Sequence, residues 1–241
     1  LHKAIRRQRQ MCIRDRNNSK NKNYDVTIDP GHGGMDGGGA SGNYKETDFT
    51  MDISKKVKSN LEKAGITVKL THDEGDIDKN HVMDEYNKGG RAVIPNEVKS
   101  KYTFSIHINK SGSSKVKGIE LYTPSDINYD LVKDIVNNIT NNTSLGYSSN
   151  RLYKKFDGIY THNFTESEVK SAIDGYDEKN YKHYNVTTNS NYLYMIRETG
   201  GFMTGAYVDS SNPDKVGVNP YYDSNIGNES YLLELGYISN S

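Results

Sequence analysis

Segments with the period of a strand alternate with segments with the period of a helix along the first 140 residues, and this alternation constrains the fold more than any other feature. "YDVTID" (24–29) alternates apolar and polar residues and reads as a strand, stopped by Pro30 and the glycines behind it. "TDFTMDISKKVKSNLEKAG" (47–65) spaces Phe49, Ile53, Val57 and Leu61 every four residues, which puts them on one face of a helix. Thr47 or Asp48 is expected to cap its start and Gly65 to end it. "ITVKLT" (66–71), "YTFSIHIN" (102–109) and "VKGIELYT" (116–123) read as three further strands. Residues 80–100 read as partly helical, with a break at Gly89-Gly90 and Pro95, and "YDLVKDIVNNIT" (129–140) as a helix. Strand, helix, strand, helix, strand predicts an α/β fold, a single domain built on a mostly parallel sheet.

The rest of the chain is less regular. Residues 144–190 are polar and poorly periodic, and are expected to form a long insertion with some helix around 165–173. "NYLYMI" (191–196) reads as a strand, and 205–230 as a second loop-like insertion rich in Asn, Asp, Gly and Tyr. "YLLELGYIS" (231–239) reads as an apolar strand interrupted by Glu234. The length of 241 residues suits one domain with such insertions.

Charge and cysteine content exclude several classes. The net charge is zero, which gives no footprint for nucleic acid. Residues 1–16 hold six Lys or Arg against one Asp, so this leader is basic and the remainder acidic. The leader has no apolar core and is not a secretory signal; residues 1–20 are expected to lie outside the domain. The only cysteine, Cys12, falls within it, which leaves the domain without a disulfide, a thiol nucleophile or a thiolate metal site. No stretch approaches the ~18 apolar residues of a membrane span. The 19 tyrosines, among many Asn and Ser, suit a surface that binds sugar or peptide, and equally reflect compositional bias.

Chemistry-bearing residues gather where strands end. "IDPGHGGMDGGG" (28–39) has neither the lysine of a phosphate loop nor a helix opening where a dinucleotide turn would need one. A metal ligand is the third reading, since ligands in open α/β sheets collect at the carboxyl ends of strands and His32 lies just past one. His107 ends the strand "TFSIH", with polar Asn109, Lys110 and Ser111 directly after it. Glu46 precedes the first helix, where a carboxylate is also favoured by the helix dipole. Two histidines and a carboxylate make an open zinc site, although spacings of 14 and 61 residues are a weak pattern by themselves. Glu234 stands in a strand that should be buried, where an unpaired carboxylate is costly. It reads as a salt-bridge partner at a strand end or as a general base beside a metal.

"IDPGHGG" (28–34), "KET" (45–47), "FSIHIN" (104–109), "KGIELYT" (117–123) and "LLELGYISN" (232–240) together resemble the zinc-dependent N-acetylmuramoyl-L-alanine amidases of the Amidase_3 family. The resemblance runs in order from about Tyr24 to the end of the chain. It implies a twisted, mostly parallel sheet flanked by helices, in a phosphorylase/hydrolase-like arrangement. It implies that His32, Glu46 and His107 bind Zn2+ and that Glu234 is the catalytic glutamate. The implied substrate is peptidoglycan, cut between the lactyl group of N-acetylmuramic acid and L-alanine, outside the cell or in its wall. A monomer without a nucleic-acid partner is expected, and a catalytically silent wall-binding module of the same fold is the alternative. Ile108 stands where the family usually has Ala, the stretches 144–190 and 197–234 are longer than usual, and a closing helix is expected beyond the last residue. Tyr207, Tyr221 and Tyr222, in the second insertion, are candidates to stack on sugar rings.

Overall fold

The computed structural model describes residues 24–34, 36–73, 89–174, 186–199 and 228–240. Its centre is a seven-stranded sheet with the order β4-β1-β5-β9-β6-β8-β7. The strands are β1 (Val26–Pro30), β4 (Val68–Leu70), β5 (Tyr102–Asn109), β6 (Ile119–Tyr122), β7 (Lys154–Phe156), β8 (Ile159–Tyr160) and β9 (Glu229–Tyr237). A two-residue hairpin, β2 (Ala40–Ser41) with β3 (Tyr44–Lys45), leads into the first helix. β4, β1, β5 and β9 run parallel; β6 is antiparallel to β9 but parallel to β8, and β7 reverses again. The expected mostly parallel sheet is present, with a reversal at β9.

Strand register divides the residues between two faces. Val26 and Ile28 share a face with Phe104, Ile106, Tyr231, Leu233 and Leu121, and this is the apolar core. Helix α1 (Glu46–Lys63) and helix α3 (Asp130–Asn142) cover it, the latter through the buried Val132 and Val136. The alternate positions are polar: Thr27, Thr103 and Ser230 form one row, and Asp29 and Ser105 stand in the next. All five are sealed from solvent and all but Thr27 are hydrogen-bonded through their side chains, so this second face is an interior rather than a surface. The strand alternation was therefore read correctly, but its polar half faces other protein rather than water.

Helix α1 departs from its expected stripe. Ile53, Val57 and Leu61 pack on the core, whereas Phe49 is 37% exposed and lies against Tyr44. The residues closest to the sheet are the small Thr50 and Ser54, and Thr50 Oγ1 donates to the Gly31 carbonyl at 2.7 Å. Neither Thr47 nor Asp48 is the cap: Lys45 holds that position without a side-chain bond, and Glu46 already lies in the first turn. At the other end Gly65 (φ +81) donates to Glu62 and Ile66 donates to Leu61, a Schellman closure that needs the left-handed conformation.

Two further expectations change. "NYLYMI" does not form a strand; Tyr194–Thr199 is a helix, here α5. Asn191 starts it by accepting the Leu193 N–H, Arg197 returns to the carbonyls of Asn191 and Tyr192, and Met195 and Ile196 are buried. Short alternating apolar runs fit either period, and here the local turn chemistry decides. The segment 144–190 supplies strands β7 and β8 at the sheet edge as well as the expected local helix, α4 (Glu166–Asp174). The short helix α2 (Ile94–Glu97) carries Pro95 in its first turn, where a missing N–H costs nothing. Among the described residues no helix is long and apolar enough to cross a membrane.

Candidate metal centre

β1 and β5 are adjacent and parallel, and the chain leaves β1 for β4 on one side and reaches β5 on the other. This is a topological switch point, where the crevice beyond the strand ends is open to a ligand. His32 follows β1, His107 lies near the end of β5, and the start of α1 swings Glu46 over both. One ligand atom from each of the three lies within 4.8 Å of the others. The three sequence candidates are thus brought together.

Glu46 is the hub. Its Oε1 is 3.1 Å from His107 Nδ1 and accepts the Ile108 N–H at 2.9 Å; its Oε2 is 3.2 Å from His32 Nε2 and accepts the Gly39 N–H at 2.8 Å. Burial alone would raise its pKa, but the two rings and two backbone donors hold it well below the usual carboxylate range. The rings meet edge to face, with centroids 4.9 Å apart.

The same carboxylate has opposite effects on the two histidines. Burial lowers the pKa of His32, but hydrogen bonds to Glu46 and to Asp36 overcome it and push the ring up to about 9. His107 is more deeply placed, and burial dominates; Arg91 and His32 add to the lowering, so its pKa falls below the usual value despite Glu46. Asp36 carries no signal in the sequence beyond following His32 by four residues. Its Oδ2 lies 2.8 Å from His32 Nδ1, and its Oδ1 accepts the Gly38 N–H at 3.0 Å. Once the ring is neutral, a carboxylate behind it keeps the remaining proton on Nδ1 and leaves Nε2, the atom that faces Glu46, as a lone-pair donor.

Backbone conformation makes the room. His32 itself is left-handed (φ +59), a conformation that histidine tolerates better than most residues. At Gly38 (φ +67) a Cβ would come within 2.5 Å of the His32 ring and 2.8 Å of Glu46 Oε2. At Gly31 it would come within 2.6 Å of His107 Nδ1. The glycines beside His32 therefore clear space for the rings. A cleft of about 350 Å³ opens beside His32, lined among others by Thr47, Thr50, Met51 and His72.

Glu234 sits on β9 in register with His107 on one side and Glu120 on the other. Among the described residues its buried Oε2 has no hydrogen-bond partner, and no cation pairs with it. Burial, then the charges of Glu46 and Glu120, push its pKa up to about 8. The salt-bridge alternative has no counterpart in this geometry. Glu120, by contrast, is fully buried but saturated, accepting from Tyr122, Ser148, Asn150 and Tyr237. Two imidazole nitrogens and one carboxylate, with an unpartnered acid beside them, form a donor set that fits a zinc ion with an open position. Tyr207, Tyr221 and Tyr222 lie outside the described residues.

A family model for N-acetylmuramoyl-L-alanine amidases, Amidase_3, matches residues 26–241. The germination-specific N-acetylmuramoyl-L-alanine amidase of Bacillus subtilis (strain 168) is 29% identical over 147 residues, covering 56% of this chain and 59% of that protein. A probable cell wall amidase, LytH, of Staphylococcus saprophyticus is 34% identical over 104 residues, covering 42% of this chain and 31% of that protein. The chain thus spans between about a third and three fifths of these relatives. Among solved structures, N-acetylmuramoyl-L-alanine amidase AmiC2 of Nostoc punctiforme superposes with a TM-score of 0.50 at 22% identity, over 88% of this chain and 79% of that one, which supports the fold.

Proposed function

Because the chain belongs to the Amidase_3 family of N-acetylmuramoyl-L-alanine amidases, we propose that it hydrolyses the amide between the lactyl group of N-acetylmuramic acid and L-alanine in peptidoglycan. The observation that carries this reading is the His32–Glu46–His107 cluster with the unpartnered Glu234 in register beside it. Its place of action is the cell wall or the extracellular space, where peptidoglycan lies, and it works as a monomer.

His32 through Nε2, Glu46 through its carboxylate and His107 through Nδ1 would hold the zinc. When bound, the ion supplies Lewis acidity towards a carbonyl oxygen and towards water. Glu234 moves the proton. Its Oε2, free of partners, receives the proton of the attacking water and delivers it to the L-alanine nitrogen as the amide C–N bond breaks. A carboxyl with a pKa raised to about 8 in the metal-free protein holds a proton far more readily than an exposed glutamate, which suits an acid that must protonate a leaving amine. The cleft beside His32 gives the substrate room. Tyr207, Tyr221 and Tyr222 are proposed to stack on its sugars; shortening 211–228 to a tight turn should then lower activity on intact wall while the fold persists.

The test is mass spectrometry of peptidoglycan digested by the zinc-loaded protein. Free stem peptides beginning with L-alanine, with glycan strands left whole, are expected. Binding to wall with no bond cut would instead establish the silent module. His32→Ala and His107→Ala should each lose most of the zinc, because each removes one of only three protein ligands.

A further inference from the structure

We propose that Ser105, fixed by Asp29 and Arg91, is a positioning residue that keeps the proton of His107 on Nε2 and so presents Nδ1 to the metal. This rests on the metal-centre reading above and adds to it a buried hydrogen-bond relay on the polar face of the sheet.

The relay follows from strand register. Asp29 on β1 pairs with Ser105 on β5, and His107 lies two residues further along β5, on the same face. Ser105 Oγ is 2.6 Å from Asp29 Oδ2 and 3.1 Å from His107 Nε2. All three side chains therefore form one line that starts behind the ring.

Counting protons along that line gives its direction. Arg91 grips Asp29 with Nε on Oδ1 at 2.8 Å and Nη2 on Oδ2 at 2.7 Å, and Thr71 Oγ1 donates to Oδ1 at 2.7 Å. A buried carboxylate held by a two-pronged guanidinium is ionised and can only accept. The single hydroxyl proton of Ser105 must then point to Asp29. What Ser105 offers to His107 is a lone pair, so the ring must supply the proton, from Nε2. This holds whether the imidazole is neutral or charged, because Nε2 carries a proton in both forms.

The other side of the ring completes the reasoning. Nδ1 faces Glu46 Oε1 at 3.1 Å. With the proton of a neutral ring committed to Nε2, the Nδ1 lone pair confronts a carboxylate oxygen, and two acceptors at that distance need a cation between them. The relay thus makes the pocket attract positive charge where the ligand atoms converge. The two histidines are oriented by different means and with opposite nitrogens: His32 by the exposed Asp36, presenting Nε2, and His107 by a sealed serine–aspartate–arginine chain, presenting Nδ1.

The experiment is long-range 1H–15N correlation NMR of the wild-type protein with and without zinc, together with zinc affinity by chelator competition for wild type, Ser105→Ala and Ser105→Thr. Expected is an Nε2-protonated His107 in the zinc-free protein with zinc on Nδ1 when loaded, and on His32 a zinc-free ring protonated on both nitrogens that keeps only its Nδ1 proton when zinc takes Nε2. Ser105→Ala should weaken zinc binding by about 10–100-fold and lose the fixed Nε2-proton signature while the zinc-free protein stays folded, and Ser105→Thr should restore both. Zinc on Nε2 of His107 in wild type overturns the relay without any variant, and so does a Ser105→Ala protein with wild-type affinity and signature. If wild type itself binds no zinc, the metal-centre reading fails instead, while the zinc-free spectrum still decides which nitrogen carries the proton.

Discussion

Glu234 holds a buried oxygen with no partner among the described residues, and its consequences can be separated at the scale of one atom. In Glu234→Gln the side chain keeps its shape but can no longer carry a proton. Turnover should fall by about 10²–10⁴-fold, the usual worth of acid–base catalysis, while zinc content stays that of the parent. Stability gives an independent check. In the metal-free protein the folded pKa of about 8 lies above the ordinary 4.5, so between those values the folded state keeps a proton that the unfolded chain has released. Stability therefore falls as pH rises across that window, and glutamine removes the loss. At pH 8 the metal-free variant should melt above its parent, and near pH 4 the two should converge. His32 gives a second test, because a metal requires its neutral ring. With a metal-free pKa raised to about 9, its contribution to stability is complete below 6.5 and is lost as pH rises through about 9. Zinc binding must expel that proton, so apparent affinity should climb between pH 6.5 and 9; a flat profile would show that the pair with Glu46 and Asp36 does not form. The four residues proposed for the chemistry were legible because each interrupts a local pattern: a histidine among glycines, a carboxylate at a helix start, a histidine ending a strand, a glutamate in an apolar run. Asp29, Arg91 and Ser105 were not, since a polar residue on a half-polar strand looks solvated until its partner 62 or 76 positions away is known.

At the scale of elements, the helix end at Gly65 can be altered without touching the site. Nothing lies within 4 Å of a Cβ built there, so Gly65→Ala adds only the strain of a left-handed alanine, φ +81. That strain is worth about 1–2 kcal/mol, which in a chain of this size lowers Tm by roughly 2–4 °C per kcal/mol. Zinc content and turnover should be unchanged, and calorimetry with metal analysis on one preparation checks both. A drop in zinc would mean that α1 transmits its C-terminal strain to Glu46, about five turns away. Periodicity found α1, α3 and the long strands, where many residues repeat the same signal. It failed at Tyr194–Thr199, because six residues hold too few repeats to distinguish a strand from a helix, and the deciding contacts of Arg197 reach back to Asn191 and Tyr192. The short strands β7 and β8 were missed for the same reason, at three and two residues each.

For the molecule as a whole, the proposed zinc ties together the end of β1, the start of α1 and the end of β5. An ion that binds only the folded state adds RT ln(1 + [L]/Kd), about 2.7 kcal/mol at a hundredfold excess over Kd. Chelation should therefore lower Tm by several degrees, with zinc restoring it, and His107→Ala should show neither response; a melting curve indifferent to chelator would place the cluster outside any tight metal site. The parallel half of the sheet was readable from alternation, but the reversal was not, because nothing local tells a strand which neighbour it will join. That reversal sets the order of events during synthesis. Among the described residues β9 follows every other strand in sequence and yet is the link between β4-β1-β5 and β6-β8-β7. Without residues 229–237 the described strands make two half-sheets with raw edges, and the native order joins them only through that strand. A chain halted before Glu229 already holds both site histidines and Glu46, but it lacks the strand that joins the two half-sheets and Glu234, the proposed proton carrier. On the proposed chemistry the last strand would act as a timer: the molecule would stay unarmed until residues 229–237 take their place in the sheet.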